Sequence, residues 1–123
     1  MVRKSPTKKP PRKKAPAANG TLTDWIGKYA LDPAEVHSFC LRHDLLSEGK
    51  RAIALAKKAL QPRHIRVLIE DDPEGSSEWL VLDVDIQGSV DGVLEAYHRF
   101  KNQWLAQIPL PRRELMRLVY NIV

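Results

Sequence analysis

Two carboxylates at strand spacing are the residues of this 123-residue chain whose chemistry is easiest to name. Asp83 and Asp85 are separated by one residue, so on a strand both side chains leave the same face. Paired carboxylates can hold a divalent cation, and a small metal-dependent enzyme using Asp83 and Asp85 is therefore one hypothesis. The more common explanation is a solvated strand face whose acids protect a sheet edge from aggregation, and on that explanation no metal binds.

A second spacing, His37-x-x-Cys40-x-x-His43, places three metal-ligand types in one segment. On a helix, each step of three residues turns the side chain by about −60°, so His37 and His43 diverge by about 120°. We therefore predict that Cys40 is a small core residue rather than a metal ligand. Because no nucleophile elbow and no phosphate-binding glycine loop occur either, the sequence predicts no catalytic residues and no cofactor.

The charge of the chain is divided between two segments. Lys and Arg total 20 against 15 Asp and Glu, yet residues 21–123 carry a net charge of −2. Residues 1–20 contain four prolines, few apolar residues and no acid, and we predict that they are disordered. Clustered cations displace counterions from phosphates, so this tail is either a nucleic-acid arm or a solubilising leader. Its basic residues are Arg3, Lys4, Lys8, Lys9, Arg12, Lys13 and Lys14.

Several features predict a cytoplasmic protein, associated with the nucleoid if the tail binds nucleic acid. The longest apolar run, residues 52–56, is five residues long and too short to cross a bilayer. The basic N-terminus lacks the apolar core of a signal peptide. A lone cysteine, Cys40, excludes an internal disulfide framework and fits a reducing compartment.

The apolar pattern predicts one α+β domain over residues 21–123, with a helical part over 21–62 and a ββαβ part over 63–123. Pro33 and Glu35 follow Asp32 in the pattern of a helix N-terminus, and Ser47 and Ser89 are candidate caps of later helices. An apolar stripe with helical spacing along the last helix predicts its inward side chains, which are Val90, Val93, Leu94, Tyr97, Phe100, Trp104 and Ile108. The expected helices are 24–29, 33–45, 49–60 and 89–107, and the expected strands are 64–70, 79–86 and 116–122.

We expect these strands to form a small, mostly antiparallel sheet packed on the helices, with the third strand antiparallel beside the first. The second face of that sheet is too apolar in its middle for simple exposure to water. Either residues 24–45 or a partner must cover it. The candidate interface residues are Leu68, Trp79, Val81 and Val119, and the whole face comprises Arg66, Leu68, Glu70, Trp79, Val81, Asp83, Asp85, Arg117 and Val119.

Three short motifs carry a resemblance to a known group of proteins. They are a D-P-E…E-W-L hairpin over residues 72–80, a Y-x-R-F…W helix over residues 97–104 and an R-L-x-Y-x-I strand over residues 117–122. With these motifs, residues 65–123 resemble small uncharacterised bacterial proteins. The resemblance implies no activity, and it favours a short companion protein of antitoxin or accessory type.

Together these features predict a non-enzymatic protein-interaction module. Its partner is another protein or a second copy of the chain, bound through the second sheet face or a sheet edge. The basic tail adds non-specific contact with nucleic acid, and no membrane is involved. The metal-dependent enzyme remains the alternative.

Overall fold

Four helices and three strands follow one another in the order that the sequence pattern predicts. The computed structural model describes residues 15–123. The helices are α1 (Ala15–Tyr29), α2 (Pro33–His43), α3 (Leu46–Leu60) and α4 (Val90–Gln107). The strands are β1 (His64–Asp71), β2 (Glu78–Ile86) and β3 (Met116–Ile122), and a short 3-10 helix (Arg112–Leu115) precedes β3. The chain therefore has the predicted α+β class.

Two of the predicted helix caps are confirmed. The Asp32 side chain accepts a hydrogen bond from the Glu35 N–H at 3.2 Å, and Pro33 is the first residue of α2. The Ser89 hydroxyl accepts from the Gly92 N–H at 3.1 Å, which caps α4. Both interactions satisfy N–H groups that the first turn of a helix leaves without a partner.

Two predicted helix starts are wrong. Helix α1 begins at Ala15 rather than near residue 24, since alanine favours a helix and Pro16 lies in the first turn, where its missing N–H costs nothing. Helix α3 begins at Leu46, so Ser47 lies inside its first turn and caps nothing. The expected disorder of the tail falls on residues 1–14, which lie outside the described residues, and on residues 15–20, which are the first turns of α1.

The strand order differs from the expected one. The sheet has the order β1-β2-β3, with β1 antiparallel and β3 parallel to β2, so the third strand does not lie beside the first. The other edge of β1 is already occupied, because Ala30 forms a parallel bridge with Val67 and the Leu31 N–H donates to the Val67 carbonyl at 2.9 Å. The sheet is consequently mixed rather than mostly antiparallel.

The hydrophobic core lies on one side of this sheet, which we call the inner face. Trp25, Phe39 and Trp104, from three different helices, are all buried there. Val90 and Leu94, which the helical stripe of α4 predicts to be inward, are 59% and 39% exposed. Helices α1 to α4 thus share a core with the inner side chains of the strands, which include Val67, Leu80, Leu82, Val84, Ile86 and Met116. No helix within residues 15–123 has the length and hydropathy to cross a membrane.

Candidate interaction surface on the outer face of the sheet

The opposite side of the sheet, here called the outer face, carries every residue predicted for the second sheet face. The register aligns Arg66, Asp83 and Val119 in one row across the three strands. The neighbouring row contains Leu68, Val81 and Arg117. The outer face therefore has a polar end and an apolar centre, and its members are Arg66, Leu68, Glu70, Trp79, Val81, Asp83, Asp85, Arg117, Val119 and Asn121.

At the polar end, Arg66 binds both carboxylates that the sequence singles out. Its Nη2 lies 2.8 Å from Asp85 Oδ1 and its Nη1 lies 3.2 Å from Asp85 Oδ2, a bidentate arrangement. The Arg66 Nε lies 3.5 Å from Asp83 Oδ2. A planar guanidinium matches a carboxylate in this geometry, so one arginine holds the two acids on the sheet.

Asn121 holds the same acids from the other side. Its Nδ2 donates to Asp83 Oδ1 at 2.9 Å and to Asp85 Oδ1 at 3.0 Å. The hydrogen bond from Arg66, followed by that from Asn121, lowers the pKa of Asp85 below its ordinary value. The bond to Asp85 also raises the pKa of Arg66. Asp85 therefore stays ionised in the folded protein at neutral pH.

This arrangement does not suit a metal ion. The oxygens of Asp83 and Asp85 already accept hydrogen bonds from Arg66 and Asn121, and a cation would have to displace the Arg66 guanidinium. Among residues 15–123, no group of three or more His, Cys, Asp and Glu side chains could hold a metal. The donor set thus fits an ion-pair network that orders the strand face.

The His37, Cys40 and His43 spacing leads to a core position rather than a site. Cys40 is fully buried, and burial raises the pKa of its thiol to about 12. The His43 ring packs on the Phe39 ring with centroids 4.5 Å apart. The prediction that Cys40 is a small core residue is therefore consistent with the structure.

The apolar centre of the outer face is only partly covered within the chain. Val81 is 2% exposed, Leu68 and Trp79 are half-buried, and Val119 is 45% exposed. The Arg117 guanidinium lies 3.7 Å from the centroid of the Trp79 ring, a cation–π contact.

Leu68, Trp79 and Val119 lie outside the buried core of the described chain, whereas Val81 is buried. The helices between residues 24 and 45 instead bury Trp25, Ile26, Val36 and Phe39 on the inner side. The alternative in which residues 24–45 wrap the second face is thus wrong.

Sequence reasoning did not find the partners of the outer-face residues. Arg66 and Asn121 come from the strands on either side of the acids, 19 and 36 residues from Asp85. Their alternation with apolar neighbours shows that they share a face with Asp85, but only the strand order brings them together.

The seven basic residues of the tail all lie in residues 1–14, outside the described part of the chain.

Comparisons of the chain with models of protein families, with curated proteins and with solved structures find no match. The resemblance to small bacterial proteins therefore stays a prediction, and the geometry of the outer face is the basis for a functional proposal.

Proposed function

We propose that this protein is a non-enzymatic interaction module that binds another protein through the outer face of its sheet. The observation that carries the proposal is the apolar centre around the buried Val81, where Leu68 and Trp79 are half-buried and Val119 is 45% exposed, all outside the main hydrophobic cluster. A sheet whose second face stays in water alternates apolar and polar residues more cleanly than this one. An apolar centre with a polar rim is typical of a binding surface.

The composition of the face supports the same proposal. Tryptophan and arginine are enriched at the centres of protein interfaces, and Trp79 and Arg117 lie stacked on each other here. The half-buried Trp79 ring is a rigid anchor that loses little conformational entropy when a partner binds.

The rim indicates the chemistry of the partner. Asp83 and Asp85 bring two negative charges against the single positive charge of Arg66, and the exposed Glu70 adds another beside Trp79. The favoured partner thus has apolar side chains bordered by Lys or Arg. A partner of that kind fits an accessory or antitoxin-like role, in which the basic residues of the tail contact nucleic acid separately.

The test measures partner capture by the full-length chain, with and without nuclease, in three forms: wild type, Trp79→Ala and Leu41→Ala. Leu41 is 59% exposed on α2 and serves as a matched apolar control away from the face. A protein that survives nuclease is then purified, and its affinity for each form is measured. We expect Trp79→Ala to weaken binding by about 2 kcal/mol, roughly 30-fold, and Leu41→Ala to leave it unchanged.

The Arg117→Ala variant keeps the Trp79 ring and separates its role from that of the arginine. Melting temperatures establish that each variant is folded. A folded Trp79→Ala protein that binds the captured protein as tightly as wild type would contradict the proposed docking surface.

A further inference from the structure

The two edges of the sheet are protected to very different degrees. The outer edge of β1 is paired at its middle by Ala30 and Leu31, and the strand carries Arg66, Glu70 and Asp71. No residue of the described chain pairs with the outer edge of β3. That strand, with the sequence MRLVYNI, contains no proline, lysine or acid and a single arginine. Natural proteins usually protect an exposed edge with such residues, so β3 has the properties of an edge that is paired.

The backbone of β3 presents a regular set of free groups at this edge. The Val123 N–H donates to the Ile86 carbonyl of β2 at 2.9 Å, so the odd-numbered residues of β3 direct their peptide groups toward β2. The N–H and C=O groups of Leu118, Tyr120 and Ile122 consequently point to the open edge. At Met116 only the carbonyl is free, because the Met116 N–H donates to the backbone carbonyl of Arg113.

We infer that a second copy of this chain pairs with this edge, β3 antiparallel to β3, about a two-fold axis through Val119. Val119 is the midpoint of Met116–Ile122, so the axis gives full overlap of the two strands. The backbone N–H and carbonyl of Leu118 then form two hydrogen bonds with the carbonyl and N–H of Tyr120 of the second copy. The Met116 carbonyl accepts a hydrogen bond from the Ile122 N–H of the second copy. Every free peptide group at the edge then finds a partner except the Ile122 carbonyl, and Val119 faces itself in a non-hydrogen-bonded pair.

The side chains are self-complementary in this register. Val119, which is 45% exposed, packs on Val119 of the second copy. Arg117, the one charged residue of the strand, lies opposite the neutral Asn121 of the second copy, so no like charges meet. Next to that Asn121 are Asp83 and Asp85, whose charges exceed that of Arg66. The pairing therefore brings Arg117 of each copy toward net negative charge on the other.

A cleft on the inner face opens at the same edge. It has a volume of about 340 Å³ and lies between α4 and β3, where Tyr97, Phe100, Trp104, Met116 and Leu118 line it. The inner side chains of the second copy continue the row formed by Leu118 and Tyr120 and close the open side of this cleft. An isologous contact of this type forms a closed dimer, because the β3 edge of each copy is then paired with that of the other.

The inference is tested by the mass of the full-length protein in sedimentation velocity, with Val119 changed to either charge. We expect wild type at twice the 14.0 kDa of one chain. Val119→Lys and Val119→Glu place like charges opposite each other at the axis and each weaken the dimer at least tenfold. An equimolar mixture of the two variants restores the dimer, since lysine then faces glutamate. Leu41→Lys is the control on an exposed helix position.

Amide hydrogen exchange locates the contact. In wild type, the amides of Leu118, Tyr120 and Ile122 exchange slowly, and in Val119→Lys they exchange rapidly, whereas Arg117 and Val119 stay protected by β2 in both. A wild type that is monomeric up to about 1 mM overturns the inference, as does a mixture that fails to pair. The two proposals are separated by Trp79→Ala, which lies on β2 and not on β3: it weakens partner capture while the sedimentation mass stays that of a dimer. Val119 belongs to both surfaces, so Val119→Lys is used only for the pairing test.

Discussion

At the scale of single residues, Asp85 combines the most interactions on the outer face. Arg66 donates to it twice and Asn121 once, while His64 Nδ1 lies 3.6 Å from its Oδ2. These donors favour the carboxylate over the carboxylic acid, and for that reason the pKa of Asp85 is lowered in the folded protein. A group with a lowered pKa contributes stability while it is ionised.

This gives a prediction for the pH dependence of stability. In the unfolded chain Asp85 titrates near pH 4, so its stabilising contribution is complete above that pH and is lost as the pH falls through its lower folded pKa. We expect Asp85→Asn to be less stable than wild type at pH 7, with the difference shrinking as the pH falls below about 4. Urea denaturation across this range measures it. Glu74→Gln, in the exposed hairpin loop, is the control, and a difference independent of pH would contradict the ion-pair network.

At the scale of secondary-structure elements, α3 depends on a glycine for its contact with α1. A Cβ atom added to Gly49 would lie 2.5 Å from Cζ2 and 2.6 Å from Cη2 of Trp25, which is 5% exposed. A Cβ atom at Gly27, in α1, would meet no atom within 4 Å. The absence of a side chain at Gly49 therefore lets the buried indole lie against the helix backbone.

The two glycines provide a matched pair of substitutions with opposite expected signs. Gly27→Ala should stabilise the protein by about 0.5–1 kcal/mol, since alanine is the better helix former. Gly49→Ala gains the same propensity, but overpacking costs about 1–3 kcal/mol, and we expect a net loss of stability of about 1–2 kcal/mol. Thermal and urea unfolding measure both. Equal stabilisation by the two substitutions would mean that Trp25 does not pack on α3 in this way.

At the scale of the whole molecule, charge is segregated along the chain. All seven basic residues of the tail lie in residues 1–14, before α1 begins, and residues 21–123 carry a net charge of −2. The tail can therefore be removed or neutralised without changing any described element. Binding to duplex phosphates by such a segment depends strongly on salt and little on base sequence.

The salt dependence of DNA binding tests the role of the tail. If all seven basic side chains contact duplex phosphates, the logarithm of affinity falls against the logarithm of salt concentration with a slope of about −6. We expect deletion of residues 1–14, or replacement of the seven by glutamine, to abolish binding and to leave the melting temperature nearly unchanged. Fluorescence anisotropy with a short duplex measures the slope. A similar slope in the truncated protein would assign the contact to the folded domain instead.

The sequence by itself determined the order of the elements, because the signals for each lie within a few residues. The caps at Asp32 and Ser89 and the period-2 pattern of the strands act through local hydrogen bonds and side-chain direction. The same alternation assigned Trp79 and Val81 to the face opposite the core. Where the pattern was weaker, at the alanines and Pro16 of the first helix, the predicted start was wrong.

Only the tertiary structure decided which strands are neighbours and which side chains meet. Strand β3 pairs with β2, and the outer edge of β1 is occupied by Ala30 and Leu31. These two residues lie more than 30 positions from their partner Val67 along the chain, so no local pattern indicates the contact. The placement of Arg66 and Asn121 on either side of Asp85 follows from the strand order. A period of two specifies the face of a strand but carries no information on its neighbour, since strand pairing is set by contacts between distant segments.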